Sequence, residues 1–152
     1  MTLLVDAAPL VALADRRDPL RDAVREVLEA ERGALVIAAP VTAEIDYLLG
    51  QRIGRAARLA FLEDLAAGRF VVECLEADEY AGVTRLERNY LDLDLGLADC
   101  ATVLLAARLR TRRVLTFDER HFRAVRPLQG GAFELLPDTA PNHEDADNPF
   151  AG

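Results

Sequence analysis

The sequence contains no lysine, and all 18 of its basic residues are arginine. A catalytic lysine, a lysine Schiff base and the lysine of a phosphate-binding P-loop are therefore excluded. Arginine still suits phosphate recognition, because its planar guanidinium can donate two parallel hydrogen bonds to one group. The missing lysine thus narrows the possible chemistry without excluding a phosphate-containing substrate.

Cysteine and histidine are also scarce, with two of each. Cys74 and Cys100 lie in apolar segments and are interpreted as reduced core thiols. His121 and His143 are too few and too poorly spaced for a zinc motif. No apolar run approaches the ~20 residues that span a bilayer, and the first residues lack the basic start of a signal peptide. These absences favour a cytoplasmic protein without a membrane partner.

Charge is distributed unevenly along an acidic chain of net charge −8. The segment 138–152 is rich in acidic residues and has no arginine, whereas the segment 108–126 carries seven arginines against two acids. We interpret residues 1–137 as one domain and residues 138–152 as an acidic, flexible tail. A local basic surface is possible on the domain despite the overall charge.

Short apolar segments alternate with amphipathic ones, which predicts a parallel β-sheet covered by helices on both faces. The fold class is therefore α/β, a three-layer α/β/α sandwich with a short central sheet. The expected strands are 3–6, 34–39, 69–75, 111–117 and, as a short fifth, 133–136. The expected helices begin at Pro9 and Pro19 and cover 41–49, 54–67, 78–88 and 98–109.

Four carboxylates occupy informative positions in this pattern. Asp6 ends the first strand and Asp118 directly follows the fourth, so both are expected at the carboxyl-terminal edge of the sheet. Asp99 is the only charge near the start of an otherwise apolar helix, where a lone buried carboxylate needs a partner or a metal. The alternative interpretation of Asp99 is an acid that interacts favourably with the helix dipole. Glu44 borders the apolar stripe of its helix, and a solvated helix face is the alternative interpretation of that position.

If these four acids converge, their mutual repulsion raises their pKa values, and a divalent cation removes the conflict. Oxygen donors favour Mg²⁺, with Mn²⁺ able to substitute. Such a site activates water and stabilises charge on a phosphodiester oxygen. Arginines near the fourth strand would then position the phosphate backbone of the substrate, and the candidates are Arg112, Arg113, Arg120 and Arg123.

Four segments of the chain resemble PIN-domain ribonucleases, and most of all the VapC toxins of bacterial toxin–antitoxin pairs. They are LLVDAAPLVALADRRDP, APVTAEIDYLL, LGLADCATVLLAARL and VLTFDERHFRAVRPLQGGAFELLP, which are distributed over residues 3–137. The chain departs from the family pattern after the leading aspartate, where Ala7 and Ala8 replace the usual Thr or Ser. That departure removes a hydroxyl that would orient a metal ligand.

The resemblance implies a role for each acid. Asp6, Asp99 and Asp118 would hold Mg²⁺, Glu44 would orient or deprotonate the attacking water, and the Thr116 hydroxyl would support a ligand. The resemblance also implies a homodimer, an RNA substrate and a cognate antitoxin that neutralises the toxin. Such antitoxins often place an arginine among the carboxylates, which an acidic pocket would favour.

Two alternatives from other functional classes remain at this stage. Asp92 and Asp94 form a double-aspartate pair similar to that of phosphatases and receiver domains, but those enzymes need a lysine and the pair follows no clear strand. The second alternative is a catalytically inactive PIN-like interaction module, which the substitution at Ala7 and Ala8 keeps open.

Overall fold

A computed structural model describes residues 1–138 of the chain. The strands are β1 (Thr2–Val5), β2 (Ala34–Ala38), β3 (Val71–Glu73), β4 (Arg113–Leu115) and β5 (Glu134–Leu136). The α-helices are α1 (Ala7–Ala14), α2 (Arg21–Ala30), α3 (Ala39–Arg52), α4 (Arg55–Ala66), α5 (Tyr80–Asn89), α6 (Gly96–Arg108) and α7 (Glu119–Ala124). Short 3₁₀ turns occupy Ala77–Glu79 and Leu91–Leu93.

All five strands are parallel and lie in the order β3-β2-β1-β4-β5. The helices flank this sheet, which confirms the predicted three-layer α/β/α sandwich. The central strands are apolar along their length because both faces are covered; Leu3, Leu4 and Val5 of β1 are each at most 1% exposed. β1 and β4 are therefore neighbours in the buried core, and their register brings their carboxyl ends side by side.

Helix α6 lies against this core, as the sequence predicted for a helix that is apolar on most sides. Cys100, Ala101, Leu105 and Ala106 are completely buried along it. Because the body of α6 is held so firmly, the acid in its first turn has a fixed position.

Three local expectations need correction. Helix α3 does not end at Leu49 but continues through Gly50 to Arg52. A six-residue helix, α7, follows β4 where no helix was predicted. Cys74 is exposed rather than part of the core, whereas Cys100 is buried as expected.

Among residues 1–138, no helix is long and apolar enough to cross a lipid bilayer. The predicted acidic tail, apart from Asp138, lies outside the residues that the structure describes.

Candidate active site

The ends of β1 and β4 bring two of the predicted acids together. In the parallel register Val5 lies opposite Leu115, so the residues that follow these strands are neighbours. The backbone N–H of Asp6 donates to the carbonyl of Leu115 at 2.9 Å, which extends the pairing past the last strand residue. Asp118 follows β4 and caps α7. The expectation that Asp6 and Asp118 share one edge of the sheet agrees with this geometry.

Both oxygens of Asp6 are held by hydrogen bonds. Oδ1 accepts from the backbone N–H of Ala7 at 2.8 Å, because Asp6 is the N-cap of α1. Oδ2 accepts from the hydroxyl of Thr116 at 2.7 Å. Thr116, directly after β4, thus contacts one of the carboxylates that it was expected to support.

Thr116 connects the two acids, since its Oγ1 also accepts from the backbone N–H of Asp118 at 3.0 Å. Thr111 lies two residues before β4 begins and also donates one hydrogen bond and accepts one through its hydroxyl. It donates to the Thr2 carbonyl at 2.7 Å and accepts from the backbone N–H of Arg113 at 3.2 Å. Thr111 and Thr116 therefore flank β4 on either side, and both are buried and make two hydrogen bonds through the hydroxyl, but only Thr116 touches an acid of the site.

We expect Thr116→Val to weaken Mn²⁺ binding and lower RNA cleavage by about 10–100-fold, because the orientation of Asp6 is lost. Thr116→Ser should restore most of both, since it returns the hydroxyl. Thr111→Val should lower stability to a similar degree while leaving Mn²⁺ affinity unchanged, as measured by titration calorimetry. Equal losses of affinity in the two valine variants would contradict this role for Thr116.

Glu44 and Asp99 complete the arrangement. Together with Asp6 and Asp118 they line one pocket of about 390 Å³, which we call the acidic pocket. Glu44 projects from the second turn of α3, which starts directly after β2, and Asp99 lies in the first turn of α6. The start of α6 also lines the pocket, through Leu95, Gly96 and Leu97. The structure thus brings all four predicted carboxylates together.

Burial and mutual repulsion disfavour negative charge in the acidic pocket. Burial raises the pKa of Asp99 to about 6, and the nearby charges of Asp6 and Asp118 act in the same direction. Burial also raises the pKa of Asp6 and, with help from Asp6 and Asp118, that of Glu44. In Asp6 the hydrogen bonds from Thr116 and Ala7 oppose this effect. The pocket is therefore short of positive charge.

His121 lies between two of the acids, which the sequence did not lead us to expect. Its Nδ1 is 2.9 Å from Asp99 Oδ2 and 2.7 Å from Asp118 Oδ2. Burial lowers the pKa of His121, but the charges of Asp118 and Asp99 and a backbone hydrogen bond with Leu93 outweigh it, so the net shift is upward. The available signal was the i+3 spacing from Asp118, whose Oδ1 accepts from the His121 backbone N–H at 3.1 Å.

The donor set fits a divalent cation. Asp99, Asp118 and His121 each offer a ligand atom, and these atoms lie within 4.8 Å of one another. Among residues 1–138, no arginine forms an ion pair with any of the four carboxylates; the basic side chains beside them are His121 and Arg52, which lines the pocket. Carboxylate oxygens are the donors that Mg²⁺ and Mn²⁺ prefer, and an imidazole is tolerated better by Mn²⁺ and Zn²⁺ than by Mg²⁺.

Comparison with known proteins identifies the family. The chain is 41% identical over 135 residues to Ribonuclease VapC26 of Mycobacterium tuberculosis, covering 89% of this chain and all of that protein. The chain belongs to the VapC family. The predicted resemblance is thereby confirmed, although no protein-family model matches the sequence.

A solved VapC structure has the same fold. The crystal structure of VapC20 from Mycobacterium tuberculosis, described as a toxin that cleaves the sarcin-ricin loop, superposes with a TM-score of 0.70. The alignment covers 76% of this chain and 89% of that one, at 17% sequence identity. This likeness supports the fold of the VapC-family chain and leaves its substrate open.

The four arginines predicted to contact RNA lie in two different places. Arg112 and Arg113 are at the start of β4, whereas the acidic pocket is at its end, and Arg113 pairs with Glu31. Arg120 and Arg123 are exposed on α7 beside Asp118; the guanidinium of Arg123 is 3.3 Å from Glu119. The first pair thus lies at the opposite edge of the sheet from the acids of this VapC-family site, and their contact with RNA stays a prediction.

The additional acids Asp92 and Asp94 do not line the acidic pocket. Both are exposed, in and directly after the 3₁₀ turn Leu91–Leu93, and Asp94 has a left-handed backbone with φ of 49°. Asp94 is therefore well explained as a turn residue, since aspartate tolerates that conformation better than most residues.

Proposed function

We propose that the protein is a Mg²⁺-dependent endoribonuclease toxin that hydrolyses RNA phosphodiester bonds at the acidic pocket. The observation that carries this proposal is the convergence of four carboxylates on one pocket without an arginine ion pair within residues 1–138. Membership of the VapC family supports it, since the relative with 41% identity is named a ribonuclease.

In this proposal Asp6, Asp99 and Asp118 hold Mg²⁺, and Mn²⁺ can replace it. When bound, the ion would activate water and stabilise the charge that develops on the phosphodiester oxygen. The backbone N–H of Ala7 and the hydroxyl of Thr116 fix both oxygens of Asp6. His121 Nδ1 lies 2.9 Å from Asp99 Oδ2 and 2.7 Å from Asp118 Oδ2, between these two ligands.

Glu44 is our candidate for the group that orients and deprotonates the attacking water. It faces the pocket from α3 but is more exposed than Asp6 or Asp99, so solvent can reach it. Its pKa is raised by burial and by the charges of Asp6 and Asp118. A carboxylate with a raised pKa is a stronger base, which favours general base catalysis.

The proposed partners follow from the same site. A cognate antitoxin would neutralise the toxin, and a basic side chain placed among the carboxylates would replace the metal. We further propose that the protein acts as a homodimer in the cytoplasm and has no membrane partner.

Induced expression in a bacterial host tests the proposal. We expect the wild-type chain to arrest growth and to create new RNA 5′ ends, and the cognate antitoxin to relieve the arrest. Asp6→Ala should abolish growth arrest and RNA cleavage, because it removes a proposed metal ligand. The loss of cleavage should exceed the roughly 100-fold that the loss of a residue supporting a ligand costs. The circular dichroism spectrum should stay unchanged.

Full toxicity of the Asp6→Ala protein would contradict the proposed ribonuclease site. A wild-type chain that binds no Mn²⁺ and cleaves no RNA would instead support the catalytically inactive PIN-like interaction module.

A further inference from the structure

Arg52 lines the acidic pocket and a second depression beside it. The acidic pocket includes Arg52 on its wall, next to Leu48. The second depression is lined by the same Arg52 and its neighbour Ile53 at the end of α3, and by Ala14, Asp15, Arg16 and Arg17 at and after the end of α1. Arg52 therefore marks the boundary between an acidic hollow and a basic one.

The helical repeat explains the position of Arg52. Glu44, Leu48 and Arg52 are spaced by four residues along α3, so they share one face of the helix and all line the acidic pocket. From Glu44 to Arg52 the helix rises about 12 Å, at 1.5 Å per residue. Only the continuation of α3 through Gly50 brings a cation into this row.

The turn after α1 provides two further cations. The carboxylate of Asp15, the C-cap of α1, accepts from the backbone N–H of Arg17 at 3.0 Å and so closes the turn. Arg16 and Arg17 are exposed beyond it. With Arg52 they give the second depression three guanidinium groups against the single carboxylate of Asp15.

These guanidinium groups are available for a ligand. Within residues 1–138, Arg16, Arg17 and Arg52 form no ion pair with an acidic side chain, whereas Arg58 of the neighbouring helix is bound to Asp46 at 2.7 Å. An exposed guanidinium with unused donors suits a phosphate, to which it can donate two hydrogen bonds at once.

We propose that the RNA backbone leaves the acidic pocket across Arg52 and continues over Arg16 and Arg17. This inference rests on the proposed ribonuclease function. Arg52 contacts a phosphate next to the cleaved one, and the two arginines after α1 contact phosphates further along the same strand. These contacts position the backbone and carry no base specificity. Arg112 and Arg113 are not part of this path, because they lie at the other edge of the sheet.

Steady-state cleavage of a short labelled single-stranded RNA, together with Mn²⁺ titration, tests this path. Arg52→Ala should raise KM by about 10-fold, the effect of losing a hydrogen bond to a charged group. Its Mn²⁺ affinity should stay the same or tighten slightly, because removing a positive charge does not weaken a cation site. The double change Arg16→Ala with Arg17→Ala should raise KM as well.

Salt dependence supplies a second measurement. For single strands, log affinity decreases with log salt concentration, and each phosphate contact contributes about −0.7 to the slope. Removing one contact therefore makes the slope shallower by about 0.7. Arg52→Ala should flatten the dependence of kcat/KM by about that amount, whereas Arg52→Lys should keep the slope and recover part of the KM. Arg32, exposed and placed before β2 at the opposite edge, gives the control: Arg32→Ala should change neither KM nor slope.

The outcomes separate the path from the function beneath it. A wild-type protein that cleaves RNA, with Arg52→Ala unchanged in KM and slope, overturns the path and leaves the ribonuclease intact. Equal effects of Arg32→Ala or Arg112→Ala also overturn it, since the losses would then reflect overall charge or a different surface. A wild-type protein that neither binds Mn²⁺ nor cleaves RNA overturns both proposals.

Discussion

Asp99→Asn should stop RNA cleavage and, without divalent metal, raise the melting temperature of the protein. Both effects have one cause, which is that the carboxylate is held where its charge is unfavourable unless a cation is bound. Burial and the charges of Asp6 and Asp118 raise its pKa from 3.8 to about 6. Asparagine keeps the size and an oxygen to accept from His121, but it removes the charge.

The expected gain in stability of the metal-free protein is about 1–3 kcal/mol at pH 7.5, from about two pKa units at 1.36 kcal/mol each. For a chain of this length each kcal/mol raises Tm by roughly 2–4 °C. Cleavage should fall by more than about 100-fold, since a ligand itself is lost. Thermal melts in EDTA and cleavage assays in Mg²⁺ measure the two effects on one preparation.

Asp46→Asn is the matched control. It removes one negative charge from α3, where Asp46 pairs with Arg58 away from the acidic pocket. We expect at most about 1 kcal/mol of destabilisation, as for exposed ion pairs, and full cleavage. A metal-free Asp99→Asn protein that melts lower than the wild type would show that Asp99 serves the fold and not a cation site.

Mn²⁺ should stabilise the wild-type protein strongly and the Asp99→Asn protein little. At a Mn²⁺ concentration 100 times the dissociation constant, binding to the native state adds about 2.7 kcal/mol. That corresponds to a rise in Tm of about 5–10 °C. Differential scanning fluorimetry across a Mn²⁺ series, repeated with Mg²⁺ and Zn²⁺, would also rank the ions, which matters because His121 adds an imidazole to the oxygen donors.

This stabilisation by Mn²⁺ should shrink as pH falls below about 6, because a proton on Asp99 competes with the ion. In the metal-free protein, the contribution of Asp99 to the free energy of unfolding should become more favourable as pH falls. The folded Asp99 has a higher pKa than the unfolded one, so the native state binds this proton more tightly. Its contribution therefore destabilises the fold above pH 6 and disappears as pH falls toward 4. Identical Mn²⁺ shifts at pH 5 and pH 7.5 would rule out Asp99 as a ligand.

The acids at the sheet edge were predictable because strand ends in a parallel sheet have a fixed relation. Asp6 and Asp118 each follow a short apolar run, and such runs form the central strands of a sheet that is covered on both faces. Asp99 was predictable because a lone charge at the start of a buried, apolar helix has few other interaction partners. The prediction for Glu44 depended more on the family resemblance, since Glu44 only borders the apolar stripe of its helix and could equally have faced solvent.

The sequence misled where tertiary packing overrides local preference. Gly50 suggested the end of a helix, but α3 continues because Leu49 is buried and the helix packs against α4. Arg52 thus reached the acidic pocket unexpectedly. Arg113 is only five residues from Asp118, yet extended backbone advances about 3.3 Å per residue, which places them at opposite edges of the sheet.

His121 was missed for a related reason. It fits no zinc spacing, and its role depends on α7, a helix of only six residues that starts at the Asp118 cap. That short helix turns the ring back toward Asp99. Thr116, in contrast, was implied by the family resemblance, and the strand register shows which acid its hydroxyl reaches, namely Asp6.

The central claim is that the acidic pocket cleaves RNA with a divalent cation. The most direct test measures cleavage of one RNA by wild-type and Asp99→Asn protein, purified in parallel, first in EDTA and then after Mg²⁺ is restored. We expect cleavage only by the wild type and only with the metal ion. Cleavage that persists in EDTA, or that is equal in the two proteins, would contradict the claim.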